Sequence, residues 1–252
     1  MSPAWTALIV VAGYLLGAVP FALLAGRVLK GIDLREHGSG NLGATNALRV
    51  LGKPAGVTVL LLDAAKGGLP VVLAPALLPA APPWLPVALA AAAILGHVFP
   101  IYLRFKGGKG VATSAGAFLA LHPAAFGCAV AVFAISLAVS RIVSLSSLSA
   151  AAALPLAAIL LDGWPVASGL QAPRTGLLVA IGVLVFVRHR ANIGRLLAGQ
   201  EPRLGQKKAE QAEPPPDDPS GDPSGEDLEQ TASVDLEPGA ADDGLEGDVV
   251  AD

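Results

Sequence analysis

Cysteine is all but missing from this 252-residue sequence. The one copy, Cys128, rules out an intramolecular disulfide and a cysteine metal cluster, and its apolar surroundings predict a small core residue. Acidic residues are scarce over the first 205 positions, which hold five of the 20, while the other 15 crowd into 206–252. Aromatics make up 5% and charged residues 15%, against 53% hydrophobic and a mean hydropathy of +0.61, which is too apolar for a soluble domain of this size. No Lys or Arg precedes the first apolar run, 3–26, and Arg27, Lys30 and Arg35 follow it. That asymmetry favours an uncleaved first helix with its N-terminus outside over a signal peptide.

What is present divides at about residue 205. Residues 1–205 carry 15 bases and a net charge of +10, whereas 206–252 carry −13, so the pI near 5.8 describes neither part. The second stretch is Pro, Asp, Glu, Gly and Ser with too little apolar surface to fold, and is expected to be a disordered acidic tail. The first stretch reads as an all-α integral membrane domain of seven transmembrane helices: 3–26, 55–79, 85–102, a short helix from Val111 that stops at His122-Pro123, 124–140, 148–161 and 175–188. Starting outside, seven crossings put 15 of the 17 Lys and Arg on one face, with only Lys66 inside a span and Arg174 on the far side. By the positive-inside rule that face, and the C-terminus, are cytoplasmic. A six-span reading that merges 111–140 would split the basic loops between two faces.

Between the third and fourth spans lies Phe105-Lys106-Gly107-Gly108-Lys109-Gly110-Val111-Ala112-Thr113. It reads as an anion cradle, in which glycines let successive N–H groups converge on phosphate oxygens and two ammonium groups supply charge. A nucleotide P-loop is excluded by spacing, because that motif needs four residues between its first Gly and Gly-Lys-[Ser/Thr], after a strand. The polar loop 31–53 contains Ser39, Asn41, Asn46 and Arg49; Arg141 to Ser147 forms a small polar reversal containing Ser144; and a basic amphipathic stretch from Arg188 holds His189, Asn192, Arg195 and Glu201. A lipid-facing basic rim needs only charge and would not call for these hydroxyls, amides and glycines. A site for a phosphorylated substrate does. Asp63 and Lys66, three apart inside a span, can pair, and either a functional or a structural pair accounts for them.

Ser39-Gly40-Asn41-Leu42-Gly43-Ala44-Thr45-Asn46 with Arg49, Gly96-His97-Val98-Phe99-Pro100 with the cradle, and His189-Arg190-Ala191-Asn192-Ile193-Gly194-Arg195 with Gly199 and Glu201 resemble the three motifs of the PlsY family. That family comprises the bacterial acyl-phosphate:glycerol-3-phosphate acyltransferases. The resemblance runs from about residue 5 to 203 and includes Asp63-Ala64-Ala65-Lys66-Gly67; its departures, Leu42 and Ile142, carry no chemistry. It implies seven transmembrane helices in the bacterial cell (plasma or inner) membrane, a cytoplasmic active site, and acyl transfer from acyl phosphate to the 1-hydroxyl of glycerol 3-phosphate in phospholipid biosynthesis.

The roles expected under that resemblance follow chemical type. Lys106, Gly107, Gly108, Lys109 and Gly110 hold a phosphate and offer donors to the oxyanion. Ser39, Asn41, Asn46, Arg49, Asn192 and Arg195 clamp glycerol 3-phosphate, and Ser144 and Glu201 complete the site. Lys109, His189, Asn192 and Ser39 are the catalytic candidates. The His-x4-Asp pair of soluble acyltransferases is absent, since Leu42, Tyr102, Gly127 and Gly194 stand five after the four histidines. The leaving phosphate can take the hydroxyl proton, which favours a substrate-assisted reaction without an acyl-enzyme; Ser39 as nucleophile is the alternative within the class. No metal, cofactor or nucleic acid is expected. A multi-pass transporter or flippase for phosphorylated lipids is the rival reading, and a scaffold recruiting partners through the acidic tail is a weaker third.

Overall fold

The protein is described by a computed structural model covering residues 1–162 and 171–205; the predicted acidic tail lies outside the described residues. Among the described residues there is no strand. The helices are α1 (Pro3–Gly17), α2 (Phe21–Lys30), α3 (Ala44–Leu51), α4 (Lys53–Leu77), α5 (Leu85–Val98), α6 (Val111–Leu121), α7 (Pro123–Ser140), α8 (Val143–Asp162), α9 (Gln171–Arg188) and α10 (Arg190–Leu197), with a 3-10 turn at Ile101–Leu103. Five runs are long and apolar enough to cross a membrane, α1 with α2 counting as one, and a sixth is added if α9 and α10, bent by 60°, form one span. At 11 residues α6 reaches about 16 Å, short of a hydrocarbon core of ~30 Å.

The run read as one helix over 3–26 is broken at Ala18–Pro20, because Pro20 has no N–H to donate and its ring disfavours a helical residue before it. The polar loop 31–53 is not all loop. Gly43 in an extended conformation opens α3 within it, Asn46 and Ala47 face inward, and Lys30 Nζ donates to Val50 O at 2.8 Å near its end. Its Gly, Asn and Thr content hid a short amphipathic helix that lies against α4.

Arg141 to Ser147 also departs from expectation. The reversal is confined to Arg141, which takes a left-handed φ of 58°, and the serines open α8. Ser146 and Ser147 donate their hydroxyl protons to Ile142 O and Val143 O, both at 2.9 Å. Hydroxyls that satisfy themselves on the preceding turn read as polar in the sequence yet sit inside a helix.

Cys128 is exposed rather than in the core. α7 is apolar all round and buries only Ala125 and Ala129, so in a chain that faces lipid, hydrophobicity does not distinguish the inward side from the outward one.

The main core gathers Ile94 and Val98 of α5, Phe118 of α6 and Leu178, Ile181 and Val185 of α9, and its Ile94 and Val98 side chains lie against Gly110 of the cradle. α6 is held by its crossing with α4. A Cβ on Gly67 would strike the backbone of Thr113, and one on Gly116 would strike that of Ala64. Only paired small residues allow so close a helix approach in an apolar medium.

Candidate active site

The cradle leaves α5 through a chain of backbone bonds. Phe105 N donates to Pro100 O (2.9 Å), Gly107 N to Val98 O (3.2 Å) and Gly108 N to His97 O (3.1 Å). The expectation that Gly107 and Gly108 present their amides to a phosphate is therefore corrected. The last carbonyls of α5 lack intrahelical partners, and these two N–H groups meet that need. The glycines serve close packing instead, since a Cβ on Gly108 would strike His97 Nε2 and lie 2.9 Å from Leu42 O. The donors left for an anion lie further on. Gly110 has φ 81°, α6 begins after it with no side-chain cap and no acidic residue in its first turn, and the first amide bonded into the helix is that of Ser114, to Gly110 O at 2.8 Å. The amides of Val111 to Thr113 have no hydrogen-bond partner among the described residues, and the positive end of the helix dipole lies with them.

Lys109 joins the cradle to the other loops. Its Nζ donates to Asn192 Oδ1, and Asn192 Nδ2 donates to Glu201 Oε1 at 2.5 Å. Ser144 Oγ reaches the same Oε1 at 2.7 Å, and Arg195 Nε reaches Oε2 at 2.7 Å. Glu201 is thus the hub on which α8, α10 and the cradle meet. Burial raises its pKa, but the hydrogen bonds from Asn192, Ser144 and Arg195 outweigh that and hold it below the ordinary value. Burial pushes Lys109 down to about 8; Glu201 opposes the shift, while Arg195, Arg188 and Arg49 reinforce it. Among the described residues whose charge acts on Lys109, three are cations and one is a carboxylate.

Arg188, which the sequence reading left out of the site, donates from Nη2 to Gly107 O at 3.0 Å and lies over the Phe99 ring at 5.8 Å. Its place directly before His189 in the basic stretch was the available signal. His189 is buried and its Nδ1–H donates to Val185 O at 2.8 Å, so the neutral ring presents Nε2 as an acceptor.

The first loop is held from within. Asn46, 1% exposed, accepts from Ser39 N (2.8 Å) and donates to Leu34 O (3.2 Å) and His37 O (3.0 Å). Asn46 therefore shapes the loop and has no polar atom free to clamp a ligand. Ser39 and Arg49 are exposed, Asn41 is half-buried beside Gly43, and Lys106 is exposed at the cradle's edge. Arg49 has no hydrogen bond or ion pair among the described residues. No group of three or more His, Cys, Asp or Glu suited to a metal occurs among them either.

An all-helical bundle of membrane-spanning length, with a positively charged cluster of amides and hydroxyls where its loops meet, defines an integral membrane protein with a polar end-on site. The chain belongs to the glycerol-3-phosphate acyltransferase (PlsY) family, whose profile matches residues 7–199. It is 45% identical over 227 residues to the glycerol-3-phosphate acyltransferase of Rippkaea orientalis, covering 84% of this chain and 99% of that one. It is 45% identical over 199 residues to that of Geobacillus kaustophilus, covering 79% and 96%. The crystal structure of PlsY, an integral membrane glycerol 3-phosphate acyltransferase, in its glycerol 3-phosphate form superposes with a TM-score of 0.71 at 37% identity, covering 80% of this chain and 96% of that one. The lysophosphatidic acid form gives 0.69 at 36%, with the same coverage.

Proposed function

We propose that this enzyme transfers a fatty acyl group from acyl phosphate to the 1-hydroxyl of glycerol 3-phosphate, releasing lysophosphatidic acid and inorganic phosphate. The observation that carries the reading is the Lys109 ammonium, two positions before the uncapped start of α6, bonded to Asn192 and close enough to Arg195 and Arg49 to feel their charge. Both substrates are phosphates, and two separated cationic surfaces suit one each. Arg49, Ser39 and Asn41 on the first loop hold the phosphate and diol of glycerol 3-phosphate. Lys109 and the free α6 amides hold the acyl phosphate and meet the charge that develops on its carbonyl oxygen.

The hydroxyl oxygen attacks the carbonyl carbon, the carbon–oxygen bond to phosphate breaks, and the hydroxyl proton passes to the leaving phosphate. His189 Nε2 and Asn192 orient the acceptor. No residue need form an ester, and among the described residues the His–carboxylate pairs are His97–Asp63 and His122–Asp162, so none sits beside Ser39 to activate it.

Seven crossings, with the site on the cytoplasmic side of the bacterial cell membrane, fit the contact pattern. One set of bonds ties the start of α6, the start of α8 and the end of α9–α10 through Lys109, Ser144 and Asn192. Another ties the opposite ends: Arg174 of α9 pairs with Asp162 at 2.6 Å, and Asp162 faces His122 at 3.4 Å. α6 thus runs with α8 and α9 between those two ends, entered from the cradle and followed after His122 alone by α7. On this reading 1–205 is the catalytic domain and 206–252 an acidic extension outside it. The transporter reading loses ground because the intramembrane charges Asp63 and Lys66 are buried and pair with each other at 2.7 Å.

The test uses purified protein in detergent with glycerol 3-phosphate and, separately, acyl phosphate, acyl-CoA and an acyl carrier protein thioester. Lysophosphatidic acid is expected from acyl phosphate alone. Equal turnover with either thioester would remove the donor assignment.

A further inference from the structure

Three buried polar side chains lie beneath the site and take no part in the chemistry above. Asp63 (1% exposed) and Lys66 (3%) sit on α4, and His97 (7%) on the last turn of α5. Charge at this depth in an apolar bundle is costly enough to need a reason. Lys66 Nζ lies 2.7 Å from Asp63 Oδ1, donates to Val19 O at 2.8 Å, and stands 5.3 Å from the centre of the Phe21 ring. Val19 O lies at the helix break before Pro20, where it accepts from Phe21 N at 3.2 Å and has a second lone pair for Lys66. On the other side Asp63 Oδ1 is 3.6 Å from His97 Nδ1. His97 then meets the cradle twice: its carbonyl accepts from Gly108 N at 3.1 Å, and its Nε2 faces Gly108 so closely that no Cβ fits between them.

The two connections lead to different halves of the site. From Val19 the chain runs through α2 to the loop with Ser39 and Arg49, whereas His97 abuts the loop with Lys109. The two loops touch where Leu42 O approaches Gly108, over a small hollow walled by Val19, Pro20, Leu42, Lys66, His97 and Gly108. We propose that Asp63, Lys66 and His97 are positioning residues that fix the acceptor-binding loop relative to the donor-binding cradle, so that the attacking hydroxyl and the acyl carbonyl meet at a set distance. The proposal rests on the two-phosphate reading of the site for its consequence in catalysis. Its geometry is independent of that reading.

Removing one member of a buried pair strands the other, so single variants confuse positioning with folding. The informative change is Asp63→Asn with Lys66→Met, which keeps volume, removes both charges, and cuts the tie to Val19 O. Replacing a buried pair by matched neutral groups is often neutral or stabilising, so Tm should hold or rise. Positioning predicts a kcat at least about tenfold lower with both KM values within about threefold, because occupancy survives and alignment does not. Lys66→Arg, which keeps the cation and a donor for Val19 O, should retain more of kcat than Lys66→Met.

A readout free of the reaction is the distance between spin labels at Thr45→Cys and Arg104→Cys in a Cys128→Ala background. The distribution should broaden or shift in the double variant. An unchanged distribution, a wild-type kcat, or a kcat that falls only in step with Tm would each overturn the proposal. A wild-type protein without turnover whose label distance still responds would sink the acyltransferase reading and leave the positioning role standing.

Discussion

Replacing Lys109 by Met is expected to lower kcat/KM for acyl phosphate by between roughly 30-fold and several thousandfold. The ammonium is half-buried, bonded to Asn192 and set at the mouth of α6, and loss of a buried charge-assisted contact costs about 2–5 kcal/mol, at about 1.4 kcal/mol per decade. The same residue gives the enzyme a pH signature. Its pKa is lowered to about 8 by burial, so the ammonium is present below that value and lost as pH rises through it. kcat/KM, which reports the free enzyme, should be level up to about pH 8 and then fall towards tenfold per unit. A bound phosphate stabilises the ammonium, so the fall in kcat should come later than the fall in kcat/KM. Lys109→Arg keeps a cation that does not titrate in this range and should remove the alkaline fall, even if its overall rate is lower. A Lys109→Arg profile that still turns down near pH 8 would assign that titration elsewhere.

Arg49→Ala is expected to cost at least about tenfold in kcat/KM for glycerol 3-phosphate and to leave KM for acyl phosphate nearly unchanged. Arg49 is exposed in the last turn of α3, and its guanidinium has no partner among the described residues, so its removal breaks nothing that holds the loop together. The loop's shape depends instead on the buried amide of Asn46. Arg49→Lys sharpens the test. It keeps the charge but loses the planar fork that grips two phosphate oxygens at once, and should recover only part of the loss. The two substitutions should fail for different substrates, Lys109→Met for the donor and Arg49→Ala for the acceptor. Steady-state kinetics with each substrate varied in turn, at matched amounts of folded protein, decides it. If both weaken only one substrate, the two-surface assignment is wrong.

The residues proposed for the site stood out in the sequence because phosphate chemistry calls for an unusual mixture. Gly107, Gly108 and Lys109 in one loop, and His189, Asn192 and Arg195 in another, stand out in so apolar a chain. Their division of labour was not legible. Gly107 and Gly108 look like amide donors in sequence, but which way an N–H points depends on the unfilled carbonyls at the end of α5, a tertiary fact. Asn46 looked like a ligand contact because its amide is polar, and only the fold shows that Leu34, His37 and Ser39 use all of it.

The spacing of Asp63 and Lys66 predicted the pair that forms, but their neighbours Val19 and His97 are 47 and 34 positions away in the chain, from Lys66 and Asp63 respectively. Helix positions followed the apolar runs well except where proline or serine intervened. Pro20 split the first run, and self-satisfied serines extended α8 back to Val143. The orientation of Cys128 was beyond reach, because a helix that faces lipid has no polar side to mark which way is out.

Direct transfer between two phosphates bound at once is the core of this account, and initial rates over a grid of acyl phosphate and glycerol 3-phosphate concentrations test it most directly. Both substrates must be present before any bond breaks, so double-reciprocal lines for one substrate at fixed levels of the other should intersect. Parallel lines, together with a protein that gains the mass of one acyl group when mixed with acyl phosphate alone, would mean that a side chain carries the acyl group between two half-reactions, and would contradict it.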